Sequence, residues 1–399
     1  VAGRFLWQMG TETVGRLGLA SLQNCAFTVI DQPVRPFTWA MDLLMLGSGV
    51  GYNIQRQYVD KLPPVNANFS APTRVTTADA DFIVPDSREG WVKLLGKTLK
   101  AAFLADTYPT FTYSTILVRG RGAPIKGFGG TASGPEDLCD GIVKISNILE
   151  KRKGKKLRPV DCLDIMNIIG AIVVAGNVRR SAQIAIGDPD DVEYLLAKRW
   201  DMGNIPSWRA MSNNSVVCSD TKDLHEYFWD GYEGKGEPYG LINLKLSRKI
   251  GRLGETDYPD PDVMGYNPCA EQSLAAYETC CLAEVYLPNI ESKEQLLDVC
   301  QLLYRINKHS LALPCHLKET EERAADPLCG GLMLKGHQCG MLWGASLAVG
   351  AESFRRFKDV NEAIPVAIAA TQHLMKSFAE NEYYRIGFGE AKGTIIPAI

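Results

Sequence analysis

Residues 266–284 read Tyr-Asn-Pro-Cys-Ala-Glu-Gln-Ser-Leu-Ala-Ala-Tyr-Glu-Thr-Cys-Cys-Leu-Ala-Glu. Cys269 stands in a tight polar-proline setting behind Asn267 and Pro268, with the carboxylate of Glu271 two residues on. Eleven residues past Cys269 comes Cys280, followed at once by Cys281 and an apolar run from Leu282 to Leu287. A thiol set between an amide and an acid, with a second thiol nearby, has the parts for assisted thiol chemistry. A cysteine that only fills a core needs none of those neighbours.

The surrounding chain is that of a globular enzyme. Its 399 residues are 46% hydrophobic and 22% charged, with a net charge of −3. That balance offers no basic field for nucleic acid or a membrane surface. No apolar run approaches the roughly 20 residues of a membrane span, and no signal peptide is visible. Eleven cysteines, an odd number scattered among apolar neighbours, do not make a secreted disulfide framework. The expected compartment is reducing and cytoplasmic, so a disulfide here is transient and functional.

Working outward, Val1 to Gly18 reads as a helical lead-in, and Ala26 to Ile30, just after Cys25, as a short buried strand. Phe37 to Leu46 has helical periodicity and stops at the glycine run Gly47-Ser48-Gly49-Val50-Gly51, with Tyr52 to Gln55 extended. Those glycines come after a helix and before a strand, the reverse of a dinucleotide fingerprint. They let backbone pass closely or open a phosphate pocket. Gly90 to Thr98 is a near miss for a phosphate loop and reads as a surface helix within Trp91 to Ala105. Residues 56–89 read as polar loop, and Phe111 to Val118 as a strand. The glycine-rich cationic segment around Arg119, Arg121 and Lys126 to Pro135 offers N–H groups to anions, or is a solvated loop, and opens a helix at Glu136 to Lys151. Further helices are read at Val160 to Ala175, Asp191 to Arg199, Ser292 to Leu311 and Val360 to Glu380. Strands are read at Ala182 to Gly187, Val216-Val217 and Leu241 to Leu246. This alternation predicts an α/β architecture.

Several stretches together resemble the ribonucleotide reductases. Asn267 to Gln272 with Cys280 to Glu284 is similar to that family's finger-loop motif. Val174 to Ala182, Met211 to Val216, Phe128 to Pro135, Asp86 to Trp91 and Met45 to Gly51 are similar to its other signatures, in the family's order, from residue 7 to about 320. The resemblance is strongest to the small adenosylcobalamin-dependent (class II) branch that reduces ribonucleoside triphosphates. It implies a ten-stranded α/β barrel of two five-stranded halves, with Cys269 carried to its middle on the finger loop, in a single catalytic domain over 1–399.

By this resemblance Cys269 is the thiyl radical that takes hydrogen from C3′ of the ribose. Glu271 is the general base on the 3′-hydroxyl. Asn267 holds the sugar hydroxyls, and Cys25 with Cys280 is the reducing pair. Cys281 competes with Cys280 for that place, but the spacing of eleven from Cys269 is that of the class II pattern. Read without the family, Cys25 is a buried small hydrophobe; the Asn24 before it and the strand after it match the family. Cys139, Cys162, Cys218 and Cys300 read as core residues. Asn24, Asn213, Asn214 and Ser215 are candidate substrate contacts. Asp86, Ser87, Arg119, Arg121, Lys126, Gly129, Gly130 and Thr131 are the candidate effector and specificity segment. Implied partners are a ribonucleotide substrate, a deoxynucleotide effector and a thioredoxin- or glutaredoxin-type reductant, acting on a monomer or homodimer.

The pattern fades beyond about residue 320. Neither the family's second-half Pro-Ser-Gly-Thr loop nor its C-terminal cysteine pair is found, so a C-terminal tail is read as missing. No ATP cone is read at the N-terminus. Cys329, His337 and Cys339 supply three possible metal ligands without a fourth, and no metal is assigned. Tyr383-Tyr384 keeps open a class I reading, in which a stacked tyrosine pair receives the radical from a separate ferritin-like metal subunit. A metal-binding, non-catalytic α/β protein is the remote alternative; Gly387-Phe388-Gly389 is too weak to be a glycyl-radical motif.

Overall fold

The computed structural model describes residues 14, 19–124, 131–175, 182–203, 205–251, 259–312, 353, 356–357 and 359–380. The chain divides into two compact units, Gln23–Cys280 and Val1–Leu22 with Cys281–Ile399.

The first unit is built on a six-stranded sheet. Its strands are β1 (Cys25–Val29), β2 (Gly49–Asn53), β3 (Gln183–Gly187), β4 (Asn213–Val217), β5 (Gly240–Ile242) and β6 (Thr279–Cys280). The spatial order is β5-β4-β3-β2-β1-β6. The first five run parallel, and β6 joins the β1 edge antiparallel. Every residue of β1, β2 and β3 is buried, as in a parallel sheet covered on both faces. These strands supply one five-stranded parallel half of the expected barrel.

Helices α1 (Arg35–Met45), α2 (Arg88–Phe103), α3 (Glu136–Lys151) and α4 (Pro159–Val174) follow where the sequence places them, within a few residues. α1 packs on α2 and α4, and α3 lies between α2 and α4. α4 is apolar almost all round and buried along its length, so it serves as the core helix rather than a surface one. Its first turn is fixed by Asp161, whose carboxylate accepts the backbone N–H of Arg158 at 2.9 Å and pairs with the Arg158 guanidinium at 2.9 Å. α2 starts at Ser87, whose hydroxyl accepts the Gly90 N–H at 3.1 Å. A small parallel sheet joins Thr73–Val75 and Phe82–Ile83, in the stretch 56–89 that reads as loop, to Thr112–Ser114, inside the strand read at Phe111 to Val118.

Other departures are local. The segment 191–199 holds only a short helix, Val192–Leu195, then a two-residue strand, Lys198–Arg199. The stretch 241–246 stops being strand at Ile242. Asn243 caps a new helix there, Leu244–Ile250, by accepting the Leu246 N–H at 2.9 Å.

In the second unit the described elements are a 3-10 turn, Leu19–Leu22, and two long helices, α5 (Lys293–Ala312) and α6 (Val360–Glu380). Val14, Cys281 and Ile306 pack on Leu22, and the Cys281 thiol donates to the Leu22 carbonyl at 3.7 Å. No described helix is long and apolar enough to cross a membrane.

Candidate active site

Two short strands, Gly265–Tyr266 and Ser273–Leu274, form a hairpin that carries Cys269 on its tip. Asn267 closes the tip: its N–H donates to the Gln272 carbonyl at 3.0 Å, and its Oδ1 accepts the Gln272 N–H at 3.0 Å. Inside that clamp the chain turns through Ala270 at φ +65°. A non-glycine residue in the left-handed region costs strain that the surroundings must offset.

The hairpin lies directly against the sheet because two glycines leave room for it. A Cβ on Gly51 of β2 would sit 2.2 Å from the Tyr266 carbonyl oxygen. A Cβ on Gly265 would sit 2.2 Å from the Phe27 ring of β1. The glycine run therefore serves close backbone approach, and its last residues are themselves strand. Asn53 at the end of β2 ties the hairpin base by donating to the Met264 carbonyl at 2.8 Å. The Tyr266 side chain is buried beside Ser215 on β4.

This seating brings three sulfurs together. Cys25, the first residue of β1, is the register partner of Cys280 on β6. The Cys280 sulfur is near enough to be the largest influence on the Cys25 thiol, and Cys25 in turn acts on the Cys269 sulfur. Cys25 and Cys280 are buried and Cys269 is exposed, and all three are free thiols. The side chain of Asn267, fully buried, links this group to the acid: Nδ2 donates to Glu271 Oε1 at 2.6 Å and to Cys280 Sγ at 3.6 Å.

The electrostatics favour neutral thiols. The neighbouring Cys280 sulfur raises the Cys25 pKa far above the ordinary thiol range, and burial adds to this. The Asn267 amide opposes the shift, and the Glu271 charge supports it. Cys269 is raised too, first by desolvation of its sulfur, then by the neighbouring Cys25 and Glu271. A protonated thiol is a hydrogen donor rather than a nucleophile. The arrangement is one of hydrogen-atom donors beside a carboxylate base.

The candidate substrate residues are divided. Asn24 is half-buried beside the pair, its N–H donating to the Cys280 carbonyl at 3.0 Å. Asn213 is exposed. Asn214 and Ser215 are buried. Asn214 takes its place through an N–H bond to Glu237 Oε2 at 2.7 Å and an Oδ1 bond from Ser212 at 3.0 Å. Glu237 in turn pairs with buried Lys198 at 2.8 Å.

In the candidate effector segment, Asp86 forms an ion pair with Arg119, which also donates to the Pro124 carbonyl at 2.9 Å. Ser87 caps α2, and Arg121 pairs with Asp137 at 3.2 Å. Thr131 bridges to Pro124, so the two arms of the loop meet. Lys126, Gly129, Gly130, the pair Tyr383-Tyr384, and Cys329, His337 and Cys339 lie outside the described residues. Among the described residues no cluster of three His, Cys, Asp or Glu side chains is arranged to hold a metal.

Residues 66–149 match the family model described as "B12-dependent ribonucleotide reductase, insertion domain". The chain is 36% identical over 336 residues to an adenosylcobalamin-dependent ribonucleoside-triphosphate reductase of Lacticaseibacillus paracasei, covering 71% of this chain and 44% of that protein. It is 39% identical over 310 residues to a probable enzyme of the same name from Dictyostelium discoideum, covering 74% and 40%. A Euglena gracilis protein of that name is 37% identical over 331 residues, covering 80% and 43%. The chain thus spans somewhat under half the length of these curated relatives. A crystal structure of a B12-dependent (class II) ribonucleotide reductase superposes with a TM-score of 0.65 at 30% identity, over 78% of this chain and 49% of that one.

Proposed function

The chain belongs to the ribonucleotide reductase family, in its adenosylcobalamin-dependent branch, and on that premise we infer that it reduces ribonucleoside triphosphates to 2′-deoxyribonucleotides through a thiyl radical on Cys269. The observation that carries this reading is the contiguity of Cys269, Cys25 and Cys280 with Asn267 and Glu271.

Removal of a 2′-hydroxyl needs a radical at C3′, a base for the 3′-hydroxyl proton and two reducing equivalents. Cys269, exposed on the hairpin tip, takes the C3′ hydrogen atom and returns it at the end. Glu271 accepts the 3′-hydroxyl proton, held in place by Asn267. Cys25 and Cys280 each give up one hydrogen. The C2′–O bond breaks, a C2′–H bond and a water form, and a Cys25–Cys280 disulfide closes. The high pKa of Cys25 keeps its hydrogen in place until the substrate takes it.

Cys269's exposure fits approach by a group as bulky as adenosylcobalamin, and a partly desolvated sulfur suits a neutral thiol awaiting hydrogen abstraction. When bound, that cofactor supplies the initial radical equivalent to this sulfur. We assign a deoxynucleotide effector to the segment around Asp86, Ser87 and Arg119, and a thioredoxin-type reductant to the disulfide. The eight described free thiols suit a reducing compartment such as the cytoplasm.

The test is turnover of a ribonucleoside triphosphate with adenosylcobalamin and a small dithiol. Product with no second protein is expected, and none from Cys269→Ala. Product only after a metal-containing subunit is added contradicts the cofactor assignment. Product from Cys269→Ala contradicts the mechanism.

A further inference from the structure

The sheet has two faces at Cys25, and the thiol chemistry occupies one of them. Successive side chains of a strand alternate. Cys25 and Phe27 point toward the finger hairpin, where Phe27 packs under Gly265. Thr28 points to the other face, and Tyr277 lies beside it. Tyr277 comes three residues before Cys280 and is one of two described non-glycine residues at positive φ, +65°.

Three groups hold Tyr277 in that conformation. Its N–H donates to the Phe27 carbonyl at 2.8 Å. The Trp39 ring of α1 meets its ring edge-on at 5.3 Å between centroids. The Arg35 guanidinium, one turn earlier on α1, lies 4.2 Å over its centroid. Edge-to-face rings and a cation over a ring face are both attractive arrangements. The strand they steady, β6, is only two residues long. A strand so short has few ladder bonds of its own to keep Cys280 opposite Cys25.

We propose that Arg35, Trp39 and Tyr277 form a clasp on the outer face of the sheet that positions Cys280 against Cys25 and thereby sets the reduction potential of that pair. The proposal rests on the reading of Cys25 and Cys280 as the reducing pair. Two thiols held together have a high effective concentration for each other, so their disulfide resists exchange with an external thiol. Freeing the turn lowers that effective concentration. The exchange is balanced: both thiols lose hydrogen, oxidised glutathione becomes two reduced glutathiones, and the disulfide closes.

The experiment equilibrates the full chain in glutathione buffers of graded ratio and measures the Cys25–Cys280 disulfide by peptide mass mapping. Neither substrate nor cofactor is needed. Trp39→Ala and Tyr277→Ala should make the disulfide easier to reduce, moving the midpoint by about tenfold in the exchange constant. Tyr277→Phe should stay near the unsubstituted value, because the ring and not the hydroxyl makes the contacts to Trp39 and Arg35. Tyr108→Ala, which breaks the Lys100–Tyr108 stack at 4.7 Å elsewhere on the surface, should leave the midpoint unchanged. If Trp39→Ala does not fold, exposed Arg35→Ala decides. A midpoint unmoved by the folded clasp variants, or moved equally by Tyr108→Ala, overturns the clasp. Absence of any Cys25–Cys280 disulfide in the unsubstituted chain overturns the reading of the pair itself.

Discussion

Cys25 stands at the register position directly opposite Cys280, across the junction of β1 and β6, and the Cys280 sulfur is the largest influence holding the Cys25 thiol pKa up. Side chains paired this way on antiparallel strands have Cβ atoms about 4.5–5.5 Å apart. A disulfide needs about 3.5–4.5 Å. The two sulfurs are thus near enough to close with a small backbone adjustment, and Asn267 reaches the same site from the hairpin that carries Cys269.

If the pair acts as one unit, its members cannot contribute separately. Cys25→Ser and Cys280→Ser should each abolish multiple turnover to within about the same factor as the double variant, the non-additivity typical of groups acting together. Steady-state rates for the three proteins check this. A single variant retaining most of the activity would separate the two thiols.

Glu271→Gln keeps the shape of the side chain and removes the base. The rate should fall roughly 10²–10⁴-fold with little change in substrate affinity. Asn267→Ala removes the donor that holds this carboxylate and empties a buried clamp. It should cost about 1–3 kcal/mol in unfolding free energy as well as activity. Denaturant titration beside kinetics distinguishes the two effects.

Gly51→Ala places a methyl group where the Tyr266 carbonyl oxygen lies, at 2.2 Å. The hairpin must lift, costing about 1–3 kcal/mol by overpacking. Activity should fall further than stability, since Cys269 rides on that hairpin. An Ala variant with normal turnover would show that the hairpin's seating on β2 is immaterial.

The raised Cys25 pKa has a definite consequence for stability. Below about pH 8.5 the thiol is protonated in both folded and unfolded chains, and the advantage of the native environment is complete. Above that pH the unfolded thiol ionises while the folded one stays neutral, so stability should fall as pH rises. Melting temperatures from pH 7 to 10 should decline more steeply for the unsubstituted chain than for Cys25→Ser. Parallel curves would contradict the assigned environment.

What the sequence made legible follows from the range of the interactions. α3 is strongly amphipathic and bounded by acidic and basic ends, and its residues, Glu136–Lys151, are those read from the pattern alone. The sequence reads as extended only from Tyr52, because glycine is a poor strand former. The true start of β2 at Gly49 is explained only by the hairpin that passes over Gly51, more than 200 residues away in sequence. Asn243 is a helix cap by residue type, yet the apolar run around it reads as strand, and only the Leu246 N–H bond settles the matter. Cys269 and Cys280 stand out by their amide and acid neighbours, whereas Cys25 is marked only by the family resemblance. The pairing of Cys25 with Cys280, the Asn267–Glu271 contact and the stack of Tyr277 on Trp39 and Arg35 join distant or turn-bound residues, and no spacing encodes them.

The most direct test counts thiols against product in a single turnover. The chain is fully reduced, freed of dithiol, and mixed with adenosylcobalamin and an excess of ribonucleoside triphosphate. Deoxyribonucleotide and the peptide carrying the Cys25–Cys280 disulfide are then quantified together. The predicted result is one disulfide formed between Cys25 and Cys280 for each deoxyribonucleotide released, with Cys269 still a free thiol. Product formed while Cys25 and Cys280 both remain reduced would contradict it.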